Sequence, residues 1–164
     1  MTTNIPDSTS RPNPIVLFLG SGLLSGYSPI ASGTVGSAVA LAIYLLVPGF
    51  DSPYVIMSVT AACFLFGISA SEKMESFYGN DPAEVTIDEM VGMWMSLMLL
   101  PFSTPLAVLG FFIFRVLDIV KPFPAKRFEQ QKGGFGIMMD DVVAGVYTNL
   151  ILHMVAAIMQ FSGI

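Results

Sequence analysis

Long uncharged runs with acidic residues at their ends are the feature that most constrains the fold of this chain. Four segments without Asp, Glu, Lys or Arg cover residues 12–50, 52–71, 90–114 and 142–164. About 20 apolar residues are enough to cross a bilayer. Charged residues make up only 12% of the chain, roughly half of the share found in a soluble domain. The pattern predicts a polytopic membrane protein.

The uncharged runs divide into about five predicted transmembrane helices, which form one all-α bundle. Residues 1–13 make a polar tail, and residues 14–164 make a single membrane-embedded domain. Glycines and prolines interrupt the first run, so residues 15–24 are predicted to form an interfacial or re-entrant segment. The predicted spans are residues 34–48, 54–70, 90–101, 105–120 and 142–161, with a turn at 101–105.

The basic residues lie on one side of this scheme. The two outer turns, near residues 48–51 and 102–104, contain no Lys or Arg. Because basic loops stay in the cytoplasm, this asymmetry predicts that the N-terminus is inside and the C-terminus outside. The acidic clusters then face the cytoplasm. A net charge of −5 with few, scattered basic residues excludes a typical nucleic-acid-binding protein.

Acidic residues at span ends are candidate site residues because an ionised carboxylate is expensive in hydrocarbon. The candidates are Asp88, Glu89, Asp118, Asp140 and Asp141. Clusters of carboxylate oxygens suit Mg²⁺. The alternative is a structural role at helix starts. Asp81, Pro82 and Glu84 resemble a capping sequence before the span at residue 90, and Asp140 and Asp141 would favour the positive end of the last helix.

Two further groups of residues are candidates for binding phosphate. Arg115 and Lys121 could hold phosphate oxygens, Arg through its fork and Lys as a point charge. Alternatively, they form a basic rim in which Arg115 pairs with Asp118 one turn away. Ser32, Gly33 and Thr34 could present backbone N–H groups to phosphate at a helix start. The alternative there is a turn followed by close packing of small residues.

Four segments together resemble the phosphatidylglycerophosphatase A family of bacterial membrane enzymes. They are residues 26–37, residues 86–94 with the pattern I-D-E-x-x-G, residues 114–124 with R-x-x-D-x-x-K-P, and residues 133–145 with G-x-M-x-D-D-x-x-A-G. The segments follow the family's order and cover most of residues 15–150. Departures are Ser32, where the family often has Pro, and Phe123, where it often has Trp.

The resemblance implies an Mg²⁺-dependent lipid phosphatase of the bacterial inner membrane, with its active site facing the cytoplasm. It would convert phosphatidylglycerophosphate to phosphatidylglycerol in phospholipid biosynthesis. The family's catalytic acids would fall on Asp88, Glu89, Asp118, Asp140 and Asp141, and its metal ligands on Asp88, Glu89, Asp140 and Asp141. No residue stands out as a covalent nucleophile, so direct attack by water is favoured and an aspartyl-phosphate intermediate remains an alternative.

Two other functions remain open at this point. A small cation transporter would use the same carboxylates but needs residues that line a path through the membrane. A lipid-binding scaffold would bind the same lipid without releasing phosphate.

Overall fold

The computed structural model of the protein describes residues 12–161. Most of the predicted polar tail therefore lies outside the described residues. Within them every regular element is helical, which confirms the all-α prediction. The elements in order are α1 (Pro14–Gly20), a 3₁₀ turn (Ser25–Tyr27), α2 (Ser32–Leu46), α3 (Pro53–Tyr78), α4 (Ile87–Leu97), α5 (Thr104–Val120), α6 (Ala125–Glu129) and α7 (Gly134–Phe161).

Two of these helices, α3 and α7, are long and apolar enough to cross a membrane. A helix lies at each of the five predicted spans, but five crossings are not confirmed. Helix α4 has 11 residues, and at 1.5 Å per residue it rises about 16 Å, roughly half of a hydrocarbon core. Helix α2 has 15 residues and is also shorter than a typical span. The predicted interfacial segment contains the seven-residue α1.

Helix α4 begins later than the capping sequence predicts. Its first residue is Ile87 and its N-cap residue is Thr86, so Asp81 does not cap it and that interpretation is wrong. Tertiary contacts fix Thr86 instead. Its N–H donates to the Gly20 carbonyl at 3.1 Å, and its hydroxyl lies 2.9 Å from the Ser25 hydroxyl. The segment before α2 therefore positions the start of α4.

Helix α7 begins earlier than predicted, at Gly134 rather than near Val142. Asp140 and Asp141 consequently lie about two turns inside the helix, where the helix dipole gives little stabilisation. The structural explanation that placed them at the helix N-terminus is wrong. Both side chains are buried instead.

The centre of the bundle is the crossing of α4 and α7, which pack together more extensively than any other pair of helices among the described residues. Two glycines allow this approach. A Cβ atom at Gly145 would lie 2.5 Å from the Gly92 carbonyl oxygen, and one at Gly92 would lie 2.8 Å from the Asp141 carbonyl oxygen. The crossing brings Asp141 next to the first turn of α4, which carries Asp88 and Glu89.

Candidate functional site

A cavity of about 360 Å³ opens at the end of the bundle where α4 begins and α5 ends. Helices α2, α4, α5 and α7 and the loop before α4 contribute its walls. It is lined by Ser32, Gly33, Asp81, Pro82, Ala83, Val85, Asp88, Glu89, Asp118, Ile119, Lys121, Asp140 and Asp141. All five predicted catalytic acids are therefore brought together in one cavity. Of the predicted phosphate-binding residues, Ser32, Gly33 and Lys121 line it, whereas Thr34 and Arg115 do not.

Three carboxylates from three helices converge within the cavity. One oxygen each of Glu89, Asp118 and Asp141 lies within 4.8 Å of the other two. The Oδ1 atom of Asp88 is buried and has no hydrogen-bond partner within residues 12–161, which is costly unless a cation or a proton meets it. Oxygen ligands of this kind suit Mg²⁺. The donor set therefore fits a magnesium site, and the ligand assignment stays a prediction.

Asp118 is the member of this set that sequence reasoning left out of the metal ligands. The sequence predicts Asp118 as a catalytic acid, with a structural pair to Arg115 as the alternative. The structure places its carboxylate beside those of Glu89 and Asp141. Its location near the end of an uncharged run made it a candidate site residue together with the other acids, but that location does not separate metal ligands from other catalytic acids.

Arg115 lies beside the carboxylates and outside the cavity lining. Its Nη1 atom contacts Glu89, lies 2.9 Å from Asp118 Oδ2, and is 3.5 Å from Ser37 Oγ. Its side chain is 15% exposed. These contacts are those of a residue that orients carboxylates. Phosphate binding by Arg115 stays a prediction. It is not supported by the cavity lining, which does not include Arg115.

Lys121 is the basic side chain that does line the cavity. It follows α5 in a left-handed conformation with φ of 48°, just before Pro122, so the helix ends where the Lys-Pro sequence predicts. Its Nζ atom lies 2.7 Å from Asp140 Oδ2. A compact ammonium group held in this way can also contact an anionic ligand in the cavity.

Negative charge exceeds positive charge at the site. Six carboxylates line the cavity, whereas two basic side chains, Arg115 and Lys121, contact them. Burial raises the pKa of Glu89 to about 7; repulsion from Asp118 adds to this effect, and Arg115 opposes it. Burial and repulsion from Glu89 also raise the pKa of Asp88 well above its ordinary value. Both residues precede the predicted span at residue 90. A bound cation would offset this repulsion.

Ser37 is a site residue that sequence reasoning did not identify. Its side chain is fully buried, and its Oγ atom lies 3.1 Å from Glu89 Oε2 and 2.9 Å from the Gly33 carbonyl oxygen. Gly33 packs equally closely, because a Cβ atom there would lie 2.0 Å from Glu89 Oε1. The signal was a hydroxyl on the small-residue face of α2. Such a face usually indicates helix packing, so it did not single out Ser37.

Comparison with known proteins gives one family. A family model described as phosphatidylglycerophosphatase A matches residues 18–156. An Escherichia coli K12 protein named phosphatidylglycerophosphatase A is 36% identical over 141 residues, covering 84% of this chain and 81% of the relative. A Haemophilus influenzae protein of the same name is 35% identical over 156 residues, covering 93% and 95%.

A third relative carries a different name. A Bacteroides thetaiotaomicron protein provisionally named phosphatidylinositol-3-phosphatase is 40% identical over 150 residues, covering 87% of this chain and 94% of the relative. No solved structure matches the chain significantly.

Proposed function

The chain belongs to the phosphatidylglycerophosphatase A family, and we propose that it hydrolyses the terminal phosphomonoester of phosphatidylglycerophosphate with the help of Mg²⁺. The observation that carries the proposal is the convergence of Glu89, Asp118 and Asp141 in a cavity that also contains Lys121. Carboxylates can hold a cation, and the cation and the lysine together can hold a phosphate dianion. The product would be phosphatidylglycerol, an intermediate of phospholipid biosynthesis.

The chemistry requires water to attack phosphorus while the bond from phosphorus to the glycerol oxygen breaks. Mg²⁺, when bound, would supply charge neutralisation for the phosphate and orientation for the reacting groups. Lys121 would contact a phosphate oxygen while its ammonium group keeps its contact with Asp140. One carboxylate of the cluster would accept the proton of the attacking water as general base. The glycerol oxygen leaves with a proton drawn from solvent or from a protonated carboxyl group.

Arg115 would act as a positioning residue in this mechanism. Its contacts with Glu89 and Asp118 fix the relative placement of two carboxylates that would otherwise repel each other. Ser37 restrains the same oxygen of Glu89 from α2. Catalytic groups must be held within a fraction of an ångström, so restraints of this kind contribute directly to turnover.

The second candidate substrate is a phosphatidylinositol phosphate. The observation that favours it is the 40% identity to the Bacteroides protein, which exceeds the identity to both proteins named phosphatidylglycerophosphatase A. Both lipids place a phosphomonoester on a polyol head group, and the same metal and lysine would serve either. The carboxylate cluster alone therefore does not discriminate between them.

We further propose that the enzyme is a multi-pass protein of the bacterial inner membrane with its cavity facing the cytoplasm. The two long apolar helices and the family membership indicate a membrane protein. The absence of basic residues from the two outer turns supports the orientation. A cation transporter is the less favoured alternative, because the acids gather at one end of α4 and α5.

The decisive experiment is phosphate release by the purified protein from each lipid in mixed micelles. We expect turnover of phosphatidylglycerophosphate with Mg²⁺, none with EDTA, and recovery when Mg²⁺ is restored. Preferential turnover of phosphatidylinositol 3-phosphate would select the second candidate. Release from neither lipid, by protein that still unfolds cooperatively on heating, would overturn the proposal and favour a binding or transport function.

A further inference from the structure

A second polar cavity lies next to the 360 Å³ cavity that contains the carboxylates, on the side of α3. It is lined by Glu75, Asn80, Asp81, Gln131, Ile137 and Asp140. Asp81 and Asp140 line both cavities, so the two adjoin at these side chains. The second cavity is narrow, because its volume of about 10 Å³ is near the minimum that a single water molecule needs. A group as small as a hydroxyl suits it better than a phosphate group or a sugar ring.

The lining of the narrow cavity selects the chemistry of its ligand. The amides of Asn80 and Gln131 can each donate and accept hydrogen bonds, whereas the carboxylates of Glu75 and Asp81 accept them when ionised. Neither Lys nor Arg is among its lining residues in the described part of the chain. An anionic group would be repelled there. A neutral hydroxyl, which both donates and accepts, fits.

A hydrogen bond connects the wall of the narrow cavity to the start of α7, the helix that contains Asp140 and Asp141. Glu75 Oε2 accepts the N–H of Gly133 at 2.9 Å, which joins the end of α3 to the turn before α7. The close approach of Gly134 to Ile68 reinforces this junction, because a Cβ atom at Gly134 would lie 1.8 Å from the Ile68 carbonyl oxygen. The junction therefore holds Glu75, at the end of α3, against the turn that follows Gln131.

We infer that this narrow cavity, the hydroxyl subsite, receives a hydroxyl group on the carbon next to the phosphorylated carbon of the substrate. The inference rests on the proposed phosphomonoesterase function and narrows its substrate class. The larger cavity, at about 360 Å³, has room for the phosphate and the body of the head group. Asp140 lines both cavities, so the phosphorylated carbon and the neighbouring hydroxyl-bearing carbon would lie beside it.

The subsite explains how one site can serve two kinds of head group and reject a third. The glycerol of phosphatidylglycerophosphate carries a free hydroxyl next to its terminal phosphate. The inositol ring of phosphatidylinositol 3-phosphate carries one on each side of its phosphate. Phosphatidic acid has an acyl ester at the corresponding carbon and can offer no hydroxyl. The enzyme would thus require a phosphomonoester with a free hydroxyl on the adjacent carbon, and it would not require one particular polyol.

The test compares two soluble ligands that differ only in this hydroxyl, glycerol 3-phosphate and 3-hydroxypropyl phosphate. Their binding to the detergent-solubilised protein with Mg²⁺ is measured by calorimetry, which needs no turnover. We expect glycerol 3-phosphate to bind up to about ten-fold more tightly, the value of one good hydrogen bond. Equal affinities in the wild-type protein would overturn the inference.

Variants of the lining residues test whether the narrow cavity causes the difference in affinity between the two ligands. Asn80→Ala combined with Gln131→Ala should equalise the two affinities and leave the affinity for 3-hydroxypropyl phosphate unchanged. Gln130→Ala, a neighbouring exposed amide outside the cavity, should keep the preference. A preference that persists in the double variant would place the hydroxyl elsewhere and overturn the subsite. Gln131→Ala alone answers the same question if the double variant does not fold. Failure of lipid hydrolysis would be a separate result, because this measurement reads the binding of soluble ligands and does not depend on lipid turnover.

Discussion

Arg115 Nη1 lies 2.9 Å from Asp118 Oδ2, one turn further along α5, and the same nitrogen contacts Glu89 on α4. The two contacts make the arginine a bridge between helices. They also neutralise part of the charge of two carboxylates that sit within 4.8 Å of each other and of Asp141. Phosphate does not need to displace any of these contacts, since Arg115 is not in the cavity lining.

We therefore expect Arg115→Lys to lower kcat about ten-fold, or about 1.4 kcal/mol of transition-state stabilisation, with little change in KM. Arg115 contacts both carboxylates through Nη1, and lysine keeps the charge but lacks the rigid planar group that holds this nitrogen between them. The Mg²⁺ concentration for half-maximal activity should rise in parallel. A raised KM with unchanged kcat and Mg²⁺ dependence would instead assign Arg115 to phosphate binding. A double-mutant cycle with Asp118→Asn measures the coupling between the two side chains.

Removing a charge from the carboxylate cluster should abolish turnover without unfolding the protein. Asp88→Asn, Asp118→Asn and Asp141→Asn each keep the shape of the side chain. We expect at least about 100-fold lower kcat, since even outer-shell partners of metal ligands are worth 10–100-fold. Asp51→Asn is the matched control, because Asp51 is exposed in the predicted outer turn. Near-normal activity of any one variant at limiting Mg²⁺ would remove that residue from the ligand set.

The raised pKa of Glu89 predicts a pH dependence of metal binding. With a pKa of about 7 in the folded metal-free protein, Glu89 is protonated below that pH, and a cation must displace the proton. Mg²⁺ affinity should fall as pH drops below 7, by up to ten-fold per pH unit for one displaced proton. Calorimetry in buffers of different ionisation enthalpy would detect the released proton. A Mg²⁺ affinity that is constant between pH 6 and 8 would contradict this prediction.

The raised pKa of Glu89 also predicts how the folding stability changes with pH. In the unfolded chain Glu89 has an ordinary pKa of 4.5, so between about 4.5 and 7 the folded metal-free protein binds the extra proton. Its stability should therefore fall as pH rises through this window, and Mg²⁺ should restore it most at the upper end. Thermal unfolding with EDTA and with Mg²⁺ measures both effects. In Glu89→Gln the pH dependence assigned to this residue should vanish.

The location of the site was predictable because hydrocarbon leaves few places for charge. Asp88, Asp118 and Asp141 each lie at the end of an uncharged run, so helices that cross in one bundle bring them to one end. The relation of Arg115 to Glu89 was not predictable, since it joins residues 26 positions apart on different helices. Local spacing predicted only the pairing of Arg115 with Asp118.

The start of α7 was missed for a related reason. Glycines at 133, 134 and 136 are typical of a flexible connection, yet Gly134 and Gly136 lie inside the helix. Their role is close packing: a Cβ atom at Gly136 would lie 2.1 Å from the Gln131 carbonyl oxygen. Such approaches depend on neighbours that composition does not show. The length of α4 was predicted well, at 12 residues against 11, but its position was about three residues too late, because contacts of Thr86 with Gly20 and Ser25 set its start.

The proposed orientation predicts the behaviour of reporter fusions. With the N-terminus inside and the C-terminus outside, a periplasmic reporter should be active after Ile164 and inactive after Gln131. If only α3 and α7 cross the membrane, the C-terminus would return to the side of the N-terminus, and the fusion after Ile164 would be inactive. The fusion after Gln131 distinguishes these cases further, because that residue is inside in the five-span scheme and outside if only α3 and α7 cross.

Lys121 offers the most direct test of phosphate binding. Its ammonium group lines the cavity and lies 2.7 Å from Asp140 Oδ2. We expect Lys121→Gln to raise KM about ten-fold or more and to raise the inhibition constant of inorganic phosphate equally, because a phosphate oxygen loses a charged donor.

Lys126→Gln is the matched control for this prediction, because Lys126 is exposed on α6 and lies outside the cavity. Lys121→Arg should recover part of the loss, since it restores the charge but not the compact shape. If Lys121→Gln lowered kcat and left both constants unchanged, the lysine would serve to hold Asp140 in place, and phosphate would have to be bound by the metal and the start of α2 alone.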